Sequence, residues 1–218
     1  MAANEPDEER LRIELVETMQ AMAARGLNRG TSGNASVRCG DCILITPSGI
    51  TSDHLTPANV VLIDREGRGR AGDLKPSSEW RMHWGILTSR ADVNAVVHCH
   101  SRHATILACV GRSIPAIHYM VAVSGRGEVP VAPYDTFGSR ELADAVVTTL
   151  QGGYACLMAN HGQIAIGGNL ARALAIADEV EEQAAVYWGT LAIGGPTLLT
   201  QSQINDVLAQ FSAYGQRR

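Results

Sequence analysis

Lysine is almost missing from this sequence, Lys75 being its only example, so chemistry through a lysine Schiff base has one candidate at most. Aromatic residues are sparse at 5% and charged residues reach only 18%. No uninterrupted apolar run approaches the ~20 residues that a membrane-spanning helix needs. Positive charge is not in excess either. A formal net charge of -4 and a pI near 6.0 exclude the basic field that nucleic acid or an anionic membrane would require. The opening MAANEPDEERLR is acidic and polar, unlike a secretory signal, and predicts a cytoplasmic protein. Five cysteines are an odd number, which with no such signal predicts free thiols rather than a disulfide framework.

What is present is a moderately apolar chain, 45% hydrophobic over 218 residues, enough for one sizeable core and one domain spanning 1–218. Leu11, Leu15, Val16, Met19, Met22 and Ala23 recur at helical spacing and stop at Gly26, predicting an amphipathic helix over 7–25. Short β-rich runs at 35–38, 42–46 and 60–64 follow. Cys39 and Cys42 form a C-x-x-C with no second pair, and Gly40-Asp41 between two β-rich runs reads as a hairpin turn. Pro76, Ser77 and Ser78 supply a helix entry before a periodic stretch over 77–90. A strand at 94–100, a helix at 101–111, a helix near 137–153, strands at 154–162 and 163–168, and helices at 169–195 and 200–215 complete the pattern. This mixture, without a regular βαβ period, predicts an α/β or α+β fold with helices covering a sheet.

The chemistry concentrates in AVVHCHSRHA at 95–104. Side chains alternate along a strand, so His98 and His100 leave on one face and Cys99 on the other. That is the geometry of a chelate, although a pair of core histidines bonded to carbonyls would look the same. Two further candidates are His161, where an apolar strand breaks into a turn, and Glu79, in the first turn of a helix. Three imidazoles and one carboxylate would suit a tetrahedral Zn²⁺, and a carboxylate able to leave would open a position for substrate. Histidine and carboxylate ligands also suit Mn²⁺, Co²⁺ or Fe²⁺. GTSGN at 30–34, TPSG at 46–49 and PSSE at 76–79 carry the hydroxyls and unhindered N–H groups of a phosphate nest.

Through GLNRGTSGNASVR, LITPSGI, KPSSEWRMH, NAVVHCHSRHAT, RSIPAIHYM, APYDTFGSREL and NHGQIA, the sequence resembles class II aldolases of the fuculose phosphate aldolase type. The resemblance runs nearly end to end. It implies a central, mostly antiparallel β-sheet covered by helices on both faces, assembled as a fourfold homotetramer with active sites between subunits. It implies Zn²⁺ held by Glu79, His98, His100 and His161. It places the phosphate of dihydroxyacetone phosphate against Gly33, Asn34, Ser48, Gly49, Ser77 and Ser78. Tyr119 matches a proton-donating tyrosine that reaches in from the adjacent subunit, while Phe137 and Tyr214 match aromatics at the aldehyde end. Breaking a carbon–carbon bond beside a ketone leaves an enediolate, whose charge a Lewis acid stabilises. Glu79 would move a proton on the enediolate carbon, and Lys75 would serve at most near the phosphate.

The implied reaction cleaves a ketose 1-phosphate, with L-fuculose 1-phosphate as the default and 5-deoxyribulose 1-phosphate or its methylthio analogue as alternatives. An L-ribulose 5-phosphate 4-epimerase is expected to carry aspartate in place of Glu79. A methylthioribulose 1-phosphate dehydratase and a noncatalytic cytoskeletal head are weaker matches, because the head would need none of the four ligands. Asn160 replaces a histidine often found before the last ligand and is expected to point away. His103 is expected to begin the next helix, outside the metal set.

Overall fold

A computed structural model of the chain describes residues 5–70 and 72–213. Its centre is a seven-stranded sheet formed by β1 (Asn34–Cys39), β2 (Cys42–Ile45), β3 (Val61–Ile63), β4 (Ala95–Cys99), β5 (Val131–Ala132), β6 (Ala155–Met158) and β7 (Gly162–Gly167). The spatial order is β3-β2-β1-β4-β7-β6-β5, antiparallel throughout except for the β5–β6 pair at one edge. The Cys39–Cys42 stretch is indeed the hairpin that joins β1 to β2. The two cysteines are register partners, and Gly40 takes the positive φ of 60° that such a tight turn requires.

Both faces of the sheet are apolar, as period-two alternation dictates. Val37, Leu44, Val97 and Ala165 face α1 (Glu5–Ala24), α3 (Arg102–Cys109) and α5 (Leu170–Ala192), meeting Leu15, Leu107 and Ile176. Their neighbours Ile43, Ile45, Val96, Ile164 and Ile166 face α2 (Trp80–Ser89) and α4 (Arg140–Thr149), meeting Met82, Ile86, Leu142 and Val146. The expected layering of helices on both faces of a mostly antiparallel sheet is therefore present. A last helix, α6 (Gln201–Ala213), packs on a 3₁₀ turn at Tyr119–Ser124. Among the described residues no helix is long and apolar enough to cross a membrane. Leu44 is fully buried on the α1 face, and Leu44→Ala is expected to lower stability by ~2–5 kcal/mol. Urea unfolding would show this as a lower midpoint at an unchanged slope.

Three expectations shift. Helix α2 begins at Trp80 rather than at residue 77, with Glu79 as its N-cap. Main-chain bonds from Ser77 N to Thr46 O and from Ser48 N to Lys75 O, each 3.0 Å, hold 76–78 extended against 46–48 and delay the helix. The helix near 137–153 is shorter, because the Ser139 side chain caps it at Leu142 N. The stretch 112–139, with no predicted element before residue 137, contains the 3₁₀ turn and β5, both too short to carry a periodic signal.

Candidate metal centre and substrate cleft

Asn34 of β1 and His98 of β4 are register partners, so both point to the face that α2 covers. His100 follows β4 by one residue on the same side, and His161 stands in the turn before β7, which pairs with β4. That turn places Asn160 at φ 54°, the only non-glycine residue with positive φ among those described. A Cβ at Gly162 would lie 2.5 Å from the Cys99 carbonyl, so only glycine lets β7 come this close beside the histidines.

The three rings stand edge-on to one another, with centroids 4.8, 4.9 and 4.9 Å apart. His98 Nδ1 lies 2.9 Å from the Gln163 carbonyl, which can only accept. The proton therefore sits on Nδ1, and Nε2 presents a lone pair to the centre. His98 Nε2 is 3.0 Å from His100 Nε2 and 3.2 Å from Glu79 Oε2, and His161 Nε2 is 3.4 Å from Glu79 Oε1. Ligands 2.0–2.1 Å from one tetrahedral ion lie roughly 3.3 Å apart. With the His100 and His161 Nε2 atoms unprotonated as well, four lone-pair donors at this spacing would repel one another unless a cation lay between them, so the residues fit a divalent metal. Glu79 Oε1 is buried and has no hydrogen-bond partner of its own, as expected of an atom reserved for a cation.

The electrostatics agree. Burial pushes the Glu79 carboxyl up, but His98, His161 and a 2.9 Å bond from Asn34 Nδ2 outweigh it and hold the group well below the usual carboxylate range. Burial pushes His100 and His161 each down to about 4, with His98 adding to the effect, so both imidazoles are neutral near pH 7, as a metal ligand must be. His98 is the exception: burial opposes its charge, yet the Glu79 carboxylate wins and raises its pKa, so a proton competes with a cation for Nε2.

Above these ligands opens a cleft of about 320 Å³. One wall is built from the three glycine- and hydroxyl-rich segments, which bring Gly33, Ser48, Gly49, Ser77 and Ser78 to one lining beside Asn34. Gly33, at φ 74°, lies so near Asn28 that a Cβ would fall 2.3 Å from its amide. That Asn28 amide accepts the His100 N–H at 3.3 Å, tying the loop to the metal side. The other wall is the loop after β5, where Tyr134 and Phe137 are 63% and 66% exposed.

Not every expected residue gathers here. Tyr119 is half exposed in a separate groove with Val123, Arg172 and Phe211 and does not line this cleft. Tyr214 lies outside the described residues. The Lys75 side chain is exposed and is not part of the lining. His103 is in α3, bonded through Nδ1 to Glu181 at 2.8 Å, away from the metal set. Asn160 borders the cleft at its exposed rim, with its side-chain Nδ2 3.5 Å from the Cys109 carbonyl at the end of α3.

Sequence reasoning passed over Tyr134 and Asp135, which line the cleft beside Phe137, and His83, which lies fully buried beneath Asn34. For His83 a signal existed. It follows Glu79 by four residues, one turn along the same helical face.

Residues 13–188 match the family described as Class II Aldolase and Adducin N-terminal domain. The 5-methylthioribulose-1-phosphate/5-deoxyribulose-1-phosphate aldolase of Rhodospirillum rubrum is 48% identical over 205 residues, covering 94% of this chain and 92% of that protein. The L-fuculose phosphate aldolase of Escherichia coli K12 is 47% identical over 209 residues, covering 95% and 97%. A solved structure of L-fuculose 1-phosphate aldolase superposes with a TM-score of 0.90 at 36% identity, covering 93% of this chain and 96% of that one. Near-half identity to two named aldolases, over almost the whole of each chain, makes this protein a member of the class II aldolase family and a carbon–carbon lyase.

Proposed function

We propose that the protein cleaves a ketose 1-phosphate into dihydroxyacetone phosphate and an aldehyde, using Zn²⁺ held by Glu79, His98, His100 and His161. The observation that carries this reading is the convergence of four lone-pair donors within 3.0–3.4 Å of their neighbours, directly beneath a cleft walled by three anion-nest segments. A bound divalent cation supplies Lewis acidity at the substrate carbonyl, drawing off the charge that develops as the bond breaks. The chain does the rest. N–H and hydroxyl groups at Gly33, Asn34, Ser48, Gly49, Ser77 and Ser78 grip the phosphate and fix the register of the ketose. Glu79, anchored through Oε2 by Asn34, would hold the ion until substrate displaces it, and its Oε1 is then free to carry a proton to and from the carbon left by cleavage.

Tyr119 is exposed and outside its own cleft, which supports its acting in the site of a neighbouring subunit, where its phenol moves the proton of the hydroxyl at the breaking bond. Assembly is supported by the exposed Trp188, Leu191 and Ile193 at the end of α5, beside Ile106 and Val110 on or next to α3. A homotetramer with shared sites is the proposed form. Tyr119→Phe is expected to lower kcat by ~10²–10⁴-fold with metal content unchanged. Full turnover in that variant would remove Tyr119 as the proton donor.

Phe137, with Tyr214 of the tail, is assigned to the aldehyde end. The exposed rings of Tyr134 and Phe137 favour an aldehyde with an apolar or thioether tip, since sulfur packs well on aromatic edges. This supports 5-deoxyribulose 1-phosphate and its methylthio analogue beside L-fuculose 1-phosphate. The test follows dihydroxyacetone phosphate release from all three with a coupled reductase, before chelation, after chelation and after zinc restoration. Release that is lost and regained with zinc is expected, and the ranking identifies the aldehyde. No release from any of the three by the zinc-loaded protein would overturn the reading.

A further inference from the structure

Beneath the cleft, three buried side chains from two elements form one hydrogen-bonded line that ends on Glu79. Ser36 Oγ is 2.8 Å from His83 Nδ1, His83 Nε2 meets Asn34 Oδ1, and Asn34 Nδ2 is 2.9 Å from Glu79 Oε2. Ser36 and His83 are fully buried, shut off from bulk water, and Asn34 is nearly so where it meets the cleft. Alternation along β1 points Asn34 and Ser36 towards α2, and a four-residue step along α2 sets His83 one turn below Glu79.

The direction of this line is chemically determined. The Glu79 carboxylate can only accept, so the Asn34 amide must offer it NH₂ and turn its oxygen towards His83. That oxygen also only accepts, so His83 must carry its proton on Nε2. Nδ1 is then an acceptor, and the Ser36 hydroxyl donates to it. Reversing any member would set two acceptors face to face in a buried site. The imidazole is neutral, burial having pushed it down to about 3.

We infer that His83 is a positioning residue: by fixing the Asn34 amide it pins Glu79 Oε2 and leaves Oε1 aimed at the metal and substrate. This rests on the role proposed above for Glu79. His83 touches neither substrate nor metal, and it acts through Asn34 alone.

The test compares His83→Phe, which keeps the ring and loses the donor, with His83→Gln, whose amide N–H reaches the place of Nε2. Cobalt(II) titration, read by visible absorbance, reports the ligand field without turnover. His83→Phe is expected to lose ~10–100-fold in kcat and in Co²⁺ affinity, with a smaller change in KM because the phosphate partners Ser48, Gly49, Ser77 and Ser78 have no bond to His83 or Asn34. His83→Gln should recover most of both. If His83→Phe does not fold, His83→Asn replaces it, since its shorter amide does not reach Asn34. A folded His83→Phe with parental kcat and cobalt spectrum would overturn the inference, as would a Gln variant no better than the Phe or Asn one. Glu79→Gln is measured alongside. If it too turns over normally, the Glu79 reading has failed; if it is impaired while His83→Phe is not, the His83 inference alone has failed.

Discussion

His98→Ala is expected to empty the metal centre and abolish cleavage. His98 is fully buried, its ring is oriented by the Gln163 carbonyl, and its Nε2 lies 3.0 and 3.2 Å from donor atoms of His100 and Glu79. No other side chain on β4 can replace it, because its neighbours Val97 and Cys99 point to the α5 face. Loss of an outer partner of a metal ligand already costs ~10–100-fold in affinity, and loss of the ligand itself should cost more. Metal content after dialysis, measured beside dihydroxyacetone phosphate release, checks the expectation. Parental zinc content together with parental cleavage would show His98 to be a packed core histidine. The change also leaves a void and removes one donor from the Gln163 carbonyl, so circular dichroism must first show that the variant is folded.

Glu79→Gln separates proton transfer from metal binding. The amide keeps the size of the carboxylate and can still accept the Asn34 N–H through its oxygen. It cannot take up a proton near neutral pH. The expected result is a kcat lower by ~10²–10⁴-fold, with the three histidines still retaining metal at reduced affinity. Turnover at the parental rate would transfer the proton to another group. The depressed Glu79 pKa fits the role of an acceptor that is already ionised when substrate arrives.

How much of this could be read from the sequence depends on how far apart the cooperating residues lie. His98 and His100 were legible because a two-residue period is a local property of a strand. Glu79 and His161 could each be named, but their meeting depends on the β4–β7 register and on the packing of α2 over the sheet, which no local pattern encodes. Of the Ser36–His83–Asn34 line only the four-residue step from Glu79 to His83 was legible, because its meeting with Ser36 and Asn34 depends on the packing of α2 over β1. The start of α2 was misplaced because Pro76 and the two serines resemble a helix entry, whereas a distant partner, Thr46, holds them extended. Tyr119 raises the opposite problem, since its proposed role needs a second copy of the chain.

The four proposed ligands come from different layers: one from the N-cap of α2, two from β4 and its end, one from the turn before β7. A captured ion would therefore act as a rivet between helix and sheet. Opening of α2 alone would carry Glu79 away, so local unfolding and metal release are thermodynamically linked. An ion at a hundred times its Kd adds ~2.7 kcal/mol against any opening that loses the site. Amide hydrogen exchange in α2 should slow as metal is added, while exchange in α6, which touches none of the ligands, should not change. In this fold the ion that activates the substrate would also determine how tightly the wall of its own cleft is shut.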